Sequence, residues 1–86
     1  MRIRWEADAW ADYLEWQSDK AMLRRINQLI RDIQRSPFEG IGKPEPLKHH
    51  LSGYWSRRID GANRLVYLVE NDQITIAQCR GHYNPH

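Results

Sequence analysis

Several features that would point directly to a compartment or an activity are missing from this 86-residue sequence. It contains one cysteine, Cys79, so no intramolecular disulfide can form and nothing in the sequence requires an oxidising compartment. No apolar run follows residues 1–5, and no stretch approaches the length of a transmembrane helix. We therefore expect no signal peptide and no membrane partner, and a cytoplasmic location.

The sequence also lacks the motifs of several common catalytic sites. It has no glycine-rich phosphate loop, no cysteine pair at zinc-binding spacing and no Gly-x-Ser-x-Gly motif. Cys79 falls inside a predicted strand and is interpreted as a packed residue rather than a nucleophile. His49 and His50 are adjacent, and His82 and His86 lie four apart on a tail containing glycine and proline. We expect no metal site and no cofactor.

The net charge is small, at +2, which by itself indicates no polyanionic partner. Residues 1–42 contain seven basic and seven acidic residues, whereas residues 43–86 contain six basic and four acidic residues. All of the excess positive charge therefore lies in the second half of the chain. This distribution predicts weak attraction for phosphate there, with ordinary surface charge as the alternative.

The sequence does contain enough apolar material for one folded domain over residues 1–86. Hydrophobic residues make up 41% of it, and four tryptophans and four tyrosines provide large side chains to bury.

The first half of the chain has the periodicity of one strand and two helices. Alternation over residues 1–5 predicts a half-buried strand, and residues 7–17 predict a helix whose Trp10, Tyr13 and Leu14 face the core. Ser18 or Asp19 can cap a second helix that extends to residue 35. The apolar stripe of this helix is formed by Met22, Leu23, Ile26, Leu29, Ile30 and Ile33. Its arginine-rich outer face is either solvated or in contact with nucleic acid or an acidic partner.

The second half has the pattern of three strands, over residues 54–59, 64–70 and 73–80. The short turns between them, at 60–63 and 71–72, predict an antiparallel meander. The expected fold is a small α+β domain of order β-α-α-β-β-β, with a helical hairpin packed on one face of a mostly antiparallel sheet.

The stretch from residue 38 to residue 59 carries the densest set of polar groups. Pro44 and Pro46 bracket Glu45 and hold it on a stiff, extended backbone. Lys48 and the two histidines follow within a few residues. From this stretch alone a functional site and a solvated loop are both open interpretations.

The chain contains the groups needed for metal-free cleavage of RNA by acid–base catalysis. A base takes the proton of a ribose 2′-hydroxyl, a cation stabilises the phosphorane, and an acid protonates the departing 5′-oxygen. The candidate groups are Glu45, Lys48, Arg58, Arg64, His82 and Tyr83. On chemistry alone, a purely structural role for His82 stays open.

Five segments of the sequence resemble the YoeB/Txe toxins of the RelE superfamily, which belong to bacterial toxin–antitoxin systems. These segments are PFEG at 37–40, GKPEPLK at 42–48, LSGYWSRRI at 51–59, RLVY at 64–67 and CRGHY at 79–83. The N-terminal residues Trp5, Trp10, Tyr13, Trp16-Gln17 and Ile26-Asn27 also fit, so the resemblance covers nearly the whole chain.

The resemblance implies a microbial-ribonuclease-like α+β fold and an endoribonuclease that needs no cofactor. Such a toxin cleaves messenger RNA in the A site of the 70S ribosome and inhibits translation. The implied partners are a YefM/Axe-like antitoxin, operator DNA when the antitoxin is bound, and a second copy of the chain.

The resemblance also implies a role for each candidate residue. Glu45 matches the general base, His82 the general acid and Arg64 the cation that stabilises the transition state. Tyr83 matches a partner tyrosine. Lys48 and Arg58 match auxiliary positions that contact phosphate. Family members commonly end at or just after the His-Tyr pair, whereas this chain continues for three residues, so His86 could crowd or assist the site.

Two hypotheses of other classes use the same features. A non-catalytic nucleic-acid-binding module would use the basic half of the chain and would bind in a salt-sensitive way without cleavage. A protein-interaction domain would use its apolar and basic surface, and Glu45 and His82 would be replaceable.

Overall fold

The computed structural model describes residues 1–82, which form two helices and five strands. The elements in chain order are β1 (Arg2–Trp5), α1 (Ala7–Glu15), α2 (Lys20–Arg35), β2 (Glu45–Pro46), β3 (Trp55–Arg58), β4 (Arg64–Glu70) and β5 (Gln73–Gln78). Short 3₁₀ turns lie at Trp16–Ser18 and His49–Leu51. Within this part of the chain, no helix combines the length and apolar character that a bilayer crossing requires.

The strands form one sheet in the order β1-β5-β4-β3-β2. Strands β3, β4 and β5 pair antiparallel, which confirms the predicted meander. Strand β1 pairs parallel with β5, and the two helices that follow β1 lead the chain to β2 at the opposite edge of the sheet. The predicted α+β class is therefore correct, with a sheet that is mixed.

Strand β2 differs from the sequence prediction, which placed Glu45 in a rigid loop. Glu45 and Pro46 pair antiparallel with β3 at the edge of the sheet. An edge strand tolerates proline because only one side of it takes part in the ladder. The prolines therefore hold this segment in extended geometry, as expected, and the segment forms the edge strand of the sheet.

Helix α2 has the predicted amphipathic structure. The Asp19 side chain caps it by accepting a hydrogen bond from the Met22 N–H at 3.2 Å. Its buried apolar residues are Ile26, Leu29, Ile30 and Ile33. They pack with Ala9, Ile59, Leu65, Tyr67, Ile74, Ile76 and Cys79 to form the core between the helices and one face of the sheet.

Helix α1 is less buried than predicted, and only Ala9 is inside the core. Trp10 is 45% exposed and Leu14 is 51% exposed, so the prediction that both face the core is wrong. The ring of Trp10 instead packs against Trp5 and Tyr13, with centroids 5.6 and 5.8 Å away. The alternation over residues 1–5 likewise does not bury half of β1, whose first three residues are exposed at the edge of the sheet.

Candidate functional site

Register places Glu45, Arg58 and Arg64 on the same face of the sheet. Glu45 lies opposite Ser56, and Arg58 lies opposite Arg64. Opposed residues share a face, and so do residues two apart on a strand. The helices cover the other face, where Arg57 lies opposite the core residue Leu65. The carboxylate and the two guanidinium groups therefore project from the face without helices.

The segment after β5 brings His82 to the same end of the sheet. The Arg64 N–H donates to the Gly81 carbonyl at 2.9 Å, and the Gly81 N–H donates to Asn63 Oδ1 at 2.8 Å. Gln78 Nε2 donates to the same Gly81 carbonyl at 3.1 Å. His82 follows Gly81 directly and is exposed. Its backbone is thus held beside the start of β4, next to Arg64.

The turn between β3 and β4 is organised by Asp60. Its Oδ1 accepts the N–H groups of Ala62 and Asn63 at 2.9 and 2.8 Å, which hold the pKa of this carboxyl below its usual value. Asn63 Nδ2 donates to the same oxygen at 3.0 Å, leaving Asn63 Oδ1 to face Gly81. Arg64 Nη1 donates to the Asp60 carbonyl at 3.3 Å. One turn therefore orients both the Arg64 guanidinium and the segment that carries His82.

The sequence prediction identified this turn by composition but missed Asn63 as a positioning residue. The signal was present, because an Asp followed by a Gly and, three residues later, an Asn is a typical side-chain-capped turn. The bond from Asn63 to Gly81, 18 residues away, could not be read from the sequence.

Lys48 lies three residues after Glu45, beyond the end of β2. It is exposed at the start of the connection from β2 to β3, which is held by a 2.9 Å hydrogen bond from the Leu47 N–H to the Tyr54 carbonyl. Within residues 1–82, the Lys48 side chain makes no hydrogen bond or ion pair. Tyr83 and the tail Asn84-Pro85-His86 lie outside the described residues, so their predicted roles stay predictions.

The Cys79 thiol belongs to the core, and the described residues form no metal-binding cluster. Cys79 is fully buried, and burial raises the pKa of its thiol to about 12, so it is a packed residue as predicted. Over residues 1–82, no group of three or more His, Cys, Asp or Glu side chains is arranged to hold a metal ion.

The arrangement joins groups that can carry out acid–base chemistry on a phosphodiester. Neighbouring strands in a sheet lie about 4.8 Å apart, so β2, β3 and β4 span about 10 Å across the candidate site. The Glu45 carboxylate lies at one side of this span, on β2. His82 follows Gly81, which is bonded to β4 at the other side. The guanidinium groups of Arg58 and Arg64 lie between them. The distance suits one phosphate group with its flanking sugars.

Comparison with known proteins gives close relatives over nearly the full chain. The family model of the YoeB-like toxin of bacterial type II toxin–antitoxin systems matches residues 5–83. The toxin YoeB of Escherichia coli strain K12 is 57% identical over 84 residues, which are 96% of this chain and 100% of that protein.

Solved structures give the same result. The YoeB/ParE toxin from Agrobacterium tumefaciens is 48% identical with a TM-score of 0.94, over 96% of this chain and 100% of that one. YoeB from Staphylococcus aureus, solved as a heterotetrameric complex with YefM and as a dimer, is 47% identical with a TM-score of 0.90. In both cases the match covers 96% of this chain and 98% of the other. These findings confirm the resemblance seen in the sequence: the chain belongs to the YoeB family of toxins of bacterial type II toxin–antitoxin systems.

Proposed function

We propose that this protein is an endoribonuclease that cleaves messenger RNA in the ribosomal A site and thereby inhibits translation. The observation that carries the proposal is the placement of Glu45, Arg58 and Arg64 on the helix-free face, with His82 held next to Arg64 through Gly81. Membership of the YoeB toxin family supports it.

The proposed reaction is a transesterification carried by side chains alone. Glu45 accepts the proton of the ribose 2′-hydroxyl, and the 2′-oxygen forms a bond to phosphorus. Arg64, assisted by Arg58, stabilises the negative charge of the phosphorane. His82 protonates the 5′-oxygen as the bond from phosphorus to that oxygen breaks. The products are a 2′,3′-cyclic phosphate and a free 5′-hydroxyl.

Two further residues belong to this proposal by their match to the family. Lys48 is exposed three residues after Glu45, where its ammonium group can contact a neighbouring phosphate. Tyr83 follows His82 directly in the chain and is proposed to act with it.

The charge of the protein favours a reaction that depends on the ribosome. A net charge of +2 gives little attraction for free RNA at physiological salt, so a larger scaffold has to present the message. Arg24 and Arg31 on helix α2 form a positively charged surface to which the ribosome could bind. We call these two residues the cationic stripe. The two residues lie seven apart on the helix, are exposed, and form no ion pair among residues 1–82. We propose that the cationic stripe contacts ribosomal RNA, which places the protein in the cytoplasm.

The comparisons also support protein partners. Because the S. aureus relative forms a complex with YefM, we propose a YefM/Axe-like antitoxin as the inhibitor of this toxin, with operator DNA as a ligand of the complex. The dimer of the same relative supports a homodimer here.

A reconstituted bacterial translation reaction tests the proposed activity. Purified protein is added and the message ends are mapped by primer extension, with Glu45→Gln, Arg64→Gln and His82→Ala variants in parallel. We expect new 5′ ends within the A-site codon for the wild type and a loss of at least about 100-fold in each variant, the usual contribution of one positioned acid or base, or of one group that stabilises the transition-state charge. Lys43→Gln, an exposed change beside β2, serves as a control that should retain activity.

Three outcomes would overturn the proposal. Cleavage at the wild-type rate in all three variants would exclude the assigned chemistry. Efficient cleavage of naked RNA at low protein concentration would exclude the requirement for the ribosome. If the wild type binds ribosomes without producing new ends, the non-catalytic nucleic-acid-binding function replaces the enzyme.

A further inference from the structure

Arg57 is a fully buried arginine that the proposed reaction does not use. It lies on β3 between Ser56 and Arg58, and its side chain is 0% exposed. Because alternate residues of a strand point to opposite faces, Arg57 points into the core while its two neighbours face the candidate site. A buried guanidinium is tolerated only when its N–H groups find acceptors, so its partners show what it does.

The guanidinium uses all three of its nitrogens. Nη1 donates to Asp32 Oδ2 at 2.5 Å and to the Ile41 carbonyl at 3.1 Å. Nη2 donates to the carbonyls of Ser36 and Glu39 at 2.7 and 3.0 Å. Nε donates to the Tyr67 hydroxyl at 3.1 Å. Three of these five acceptors are backbone carbonyls in residues 36–42, which make up most of the connection between α2 and β2 and are here called the 36–42 connection.

The other members of the network hold the same connection. Asp32 Oδ2 also accepts the Ile41 N–H at 2.9 Å, so the Asp32–Arg57 pair binds both polar groups of the Ile41 backbone. The Tyr67 hydroxyl donates to the Pro37 carbonyl at 2.7 Å. Gly40 has φ +128°, and a Cβ there would collide with the Asp32 carboxylate. The 36–42 connection is thus fixed by α2, β3 and β4 together.

This connection leads directly to the candidate base. Only three residues separate Ile41 from Glu45, and one of them is Pro44, which limits the freedom of the backbone. The Gly42 carbonyl accepts the Arg58 N–H at 2.7 Å, and Glu45 then pairs with Ser56. The short edge strand β2 has two residues, so its own ladder provides few bonds to hold Glu45.

We propose that Arg57, together with Asp32, is a positioning residue that fixes Glu45 at the candidate site through the 36–42 connection. Replacing both partners of a buried ion pair by apolar residues is often neutral or stabilising, so a gain in stability does not by itself account for the presence of this pair. Its three carbonyl contacts instead select one path for the connection. The catalytic half of this inference rests on the proposed function, whereas the structural half does not.

The test compares Arg57→Lys with a variant that perturbs the core away from the 36–42 connection. Lysine keeps the positive charge beside Asp32, but one ammonium group cannot replace the five bonds of a planar guanidinium. Ile74→Val removes a methyl group from the buried core on β5, away from the connection. Conditions are chosen so that both variants are equally folded. We expect Arg57→Lys to lower kcat at saturating ribosomes at least tenfold with little change in KM, and Ile74→Val to retain the wild-type kcat.

Amide hydrogen exchange provides a measurement that does not require activity. In Arg57→Lys the amides of Ile41 and Arg58 should exchange at least tenfold faster than in the wild type, while the amides of α2 and β5 change no more than in Ile74→Val. Tyr67→Phe, which removes the hydroxyl bonded to Pro37 and Arg57, should shift the same amides in the same direction and serves if Arg57→Lys does not fold.

The outcomes separate the two proposals. Unchanged exchange at Ile41 and Arg58, or equal kcat in Arg57→Lys and Ile74→Val, would overturn the positioning role. If the wild type itself cleaves no message, the proposed function fails. The exchange data then decide alone whether Arg57 fixes the segment that leads to Glu45.

Discussion

At the scale of single residues, the Asp32 carboxylate combines three hydrogen-bond donors with a clearly lowered pKa. It accepts hydrogen bonds from the Arg35 guanidinium, the Ile41 N–H and the Arg57 guanidinium, which together lower its pKa from 3.8 to about 2. A lowered pKa means that the folded state stabilises the ionised carboxylate more than the unfolded state does. Asp32 therefore contributes stability above pH 3.8, and this contribution is lost as the pH falls through the folded value.

The dependence of the free energy of unfolding on pH, at acidic pH, should show the contribution of Asp32 to stability. We expect the free energy of unfolding of Asp32→Asn to be lower than that of the wild type at neutral pH, because the variant leaves Arg57 without its anionic partner. The difference should shrink by about 2 kcal/mol between pH 4 and pH 2. Urea unfolding at a series of pH values measures it. Asp72→Asn, at an exposed turn, is the control, and parallel curves for wild type and Asp32→Asn would contradict the assignment.

The sequence was informative about residues whose role depends on their own chemistry. Glu45, Arg58, Arg64 and His82 could be selected as acid–base and phosphate-binding groups. The structure places the first three on one face of the sheet and holds the backbone of His82 beside Arg64. Residues that act through distant contacts could not be selected. Arg57 reaches Asp32 across 25 positions of the sequence. Before the fold is known, a buried arginine in a strand cannot be distinguished from an exposed one.

At the scale of elements, the order of the helices and of the three C-terminal strands followed from periodicity and turn composition. Strand β2 did not, because a strand of two residues, one of them a proline, has no periodicity to detect. Only its pairing with β3 makes this segment a strand. The burial of α1 was also mispredicted. An apolar stripe indicates which face of a helix is expected to be buried. It does not indicate whether the protein's own core or another molecule covers that face.

The cationic stripe of α2 allows a prediction at this scale. Arg24→Gln combined with Arg31→Gln should weaken binding to ribosomes, measured in the His82→Ala background, which is expected not to cleave the message. The slope of log affinity against log salt should fall in magnitude by about 1.4–1.8, since each phosphate contact contributes about 0.7–0.9. Filter binding across a salt series measures both quantities.

The matched control changes the same amount of charge elsewhere. Arg2→Gln combined with Arg4→Gln removes two exposed arginines from β1, at the opposite edge of the sheet from β2. If both pairs weaken binding equally, the effect is one of net charge and the cationic stripe is not the contact surface. If the α2 pair instead weakens only the antitoxin complex, the stripe binds protein.

At the scale of the whole molecule, α1 exposes large apolar side chains although the chain is small and charged. Trp10 and Leu14 lie four apart on the helix and are about half exposed, and Ile3 on β1 is 38% exposed. Trp5 and Tyr13 pack beside Trp10, with their centroids 4.6 Å apart. This surface, defined by Ile3, Trp5, Trp10, Tyr13 and Leu14, is here called the α1 apolar surface. Contiguous exposed apolar surface of this kind marks protein interfaces.

We propose that the α1 apolar surface packs against a second copy of the chain, in keeping with the dimer of the S. aureus relative. Analytical ultracentrifugation should give the wild type a mass of twice 10.3 kDa at micromolar concentration, and Trp10→Ser combined with Leu14→Ser should give a folded monomer. Phe38→Ser is the matched control, because Phe38 is equally exposed, at 50%, but packs on Trp55 at the 36–42 connection. A wild-type monomer would refute the dimer. Dissociation by Phe38→Ser alone would move the interface to the 36–42 connection, which leads to Glu45.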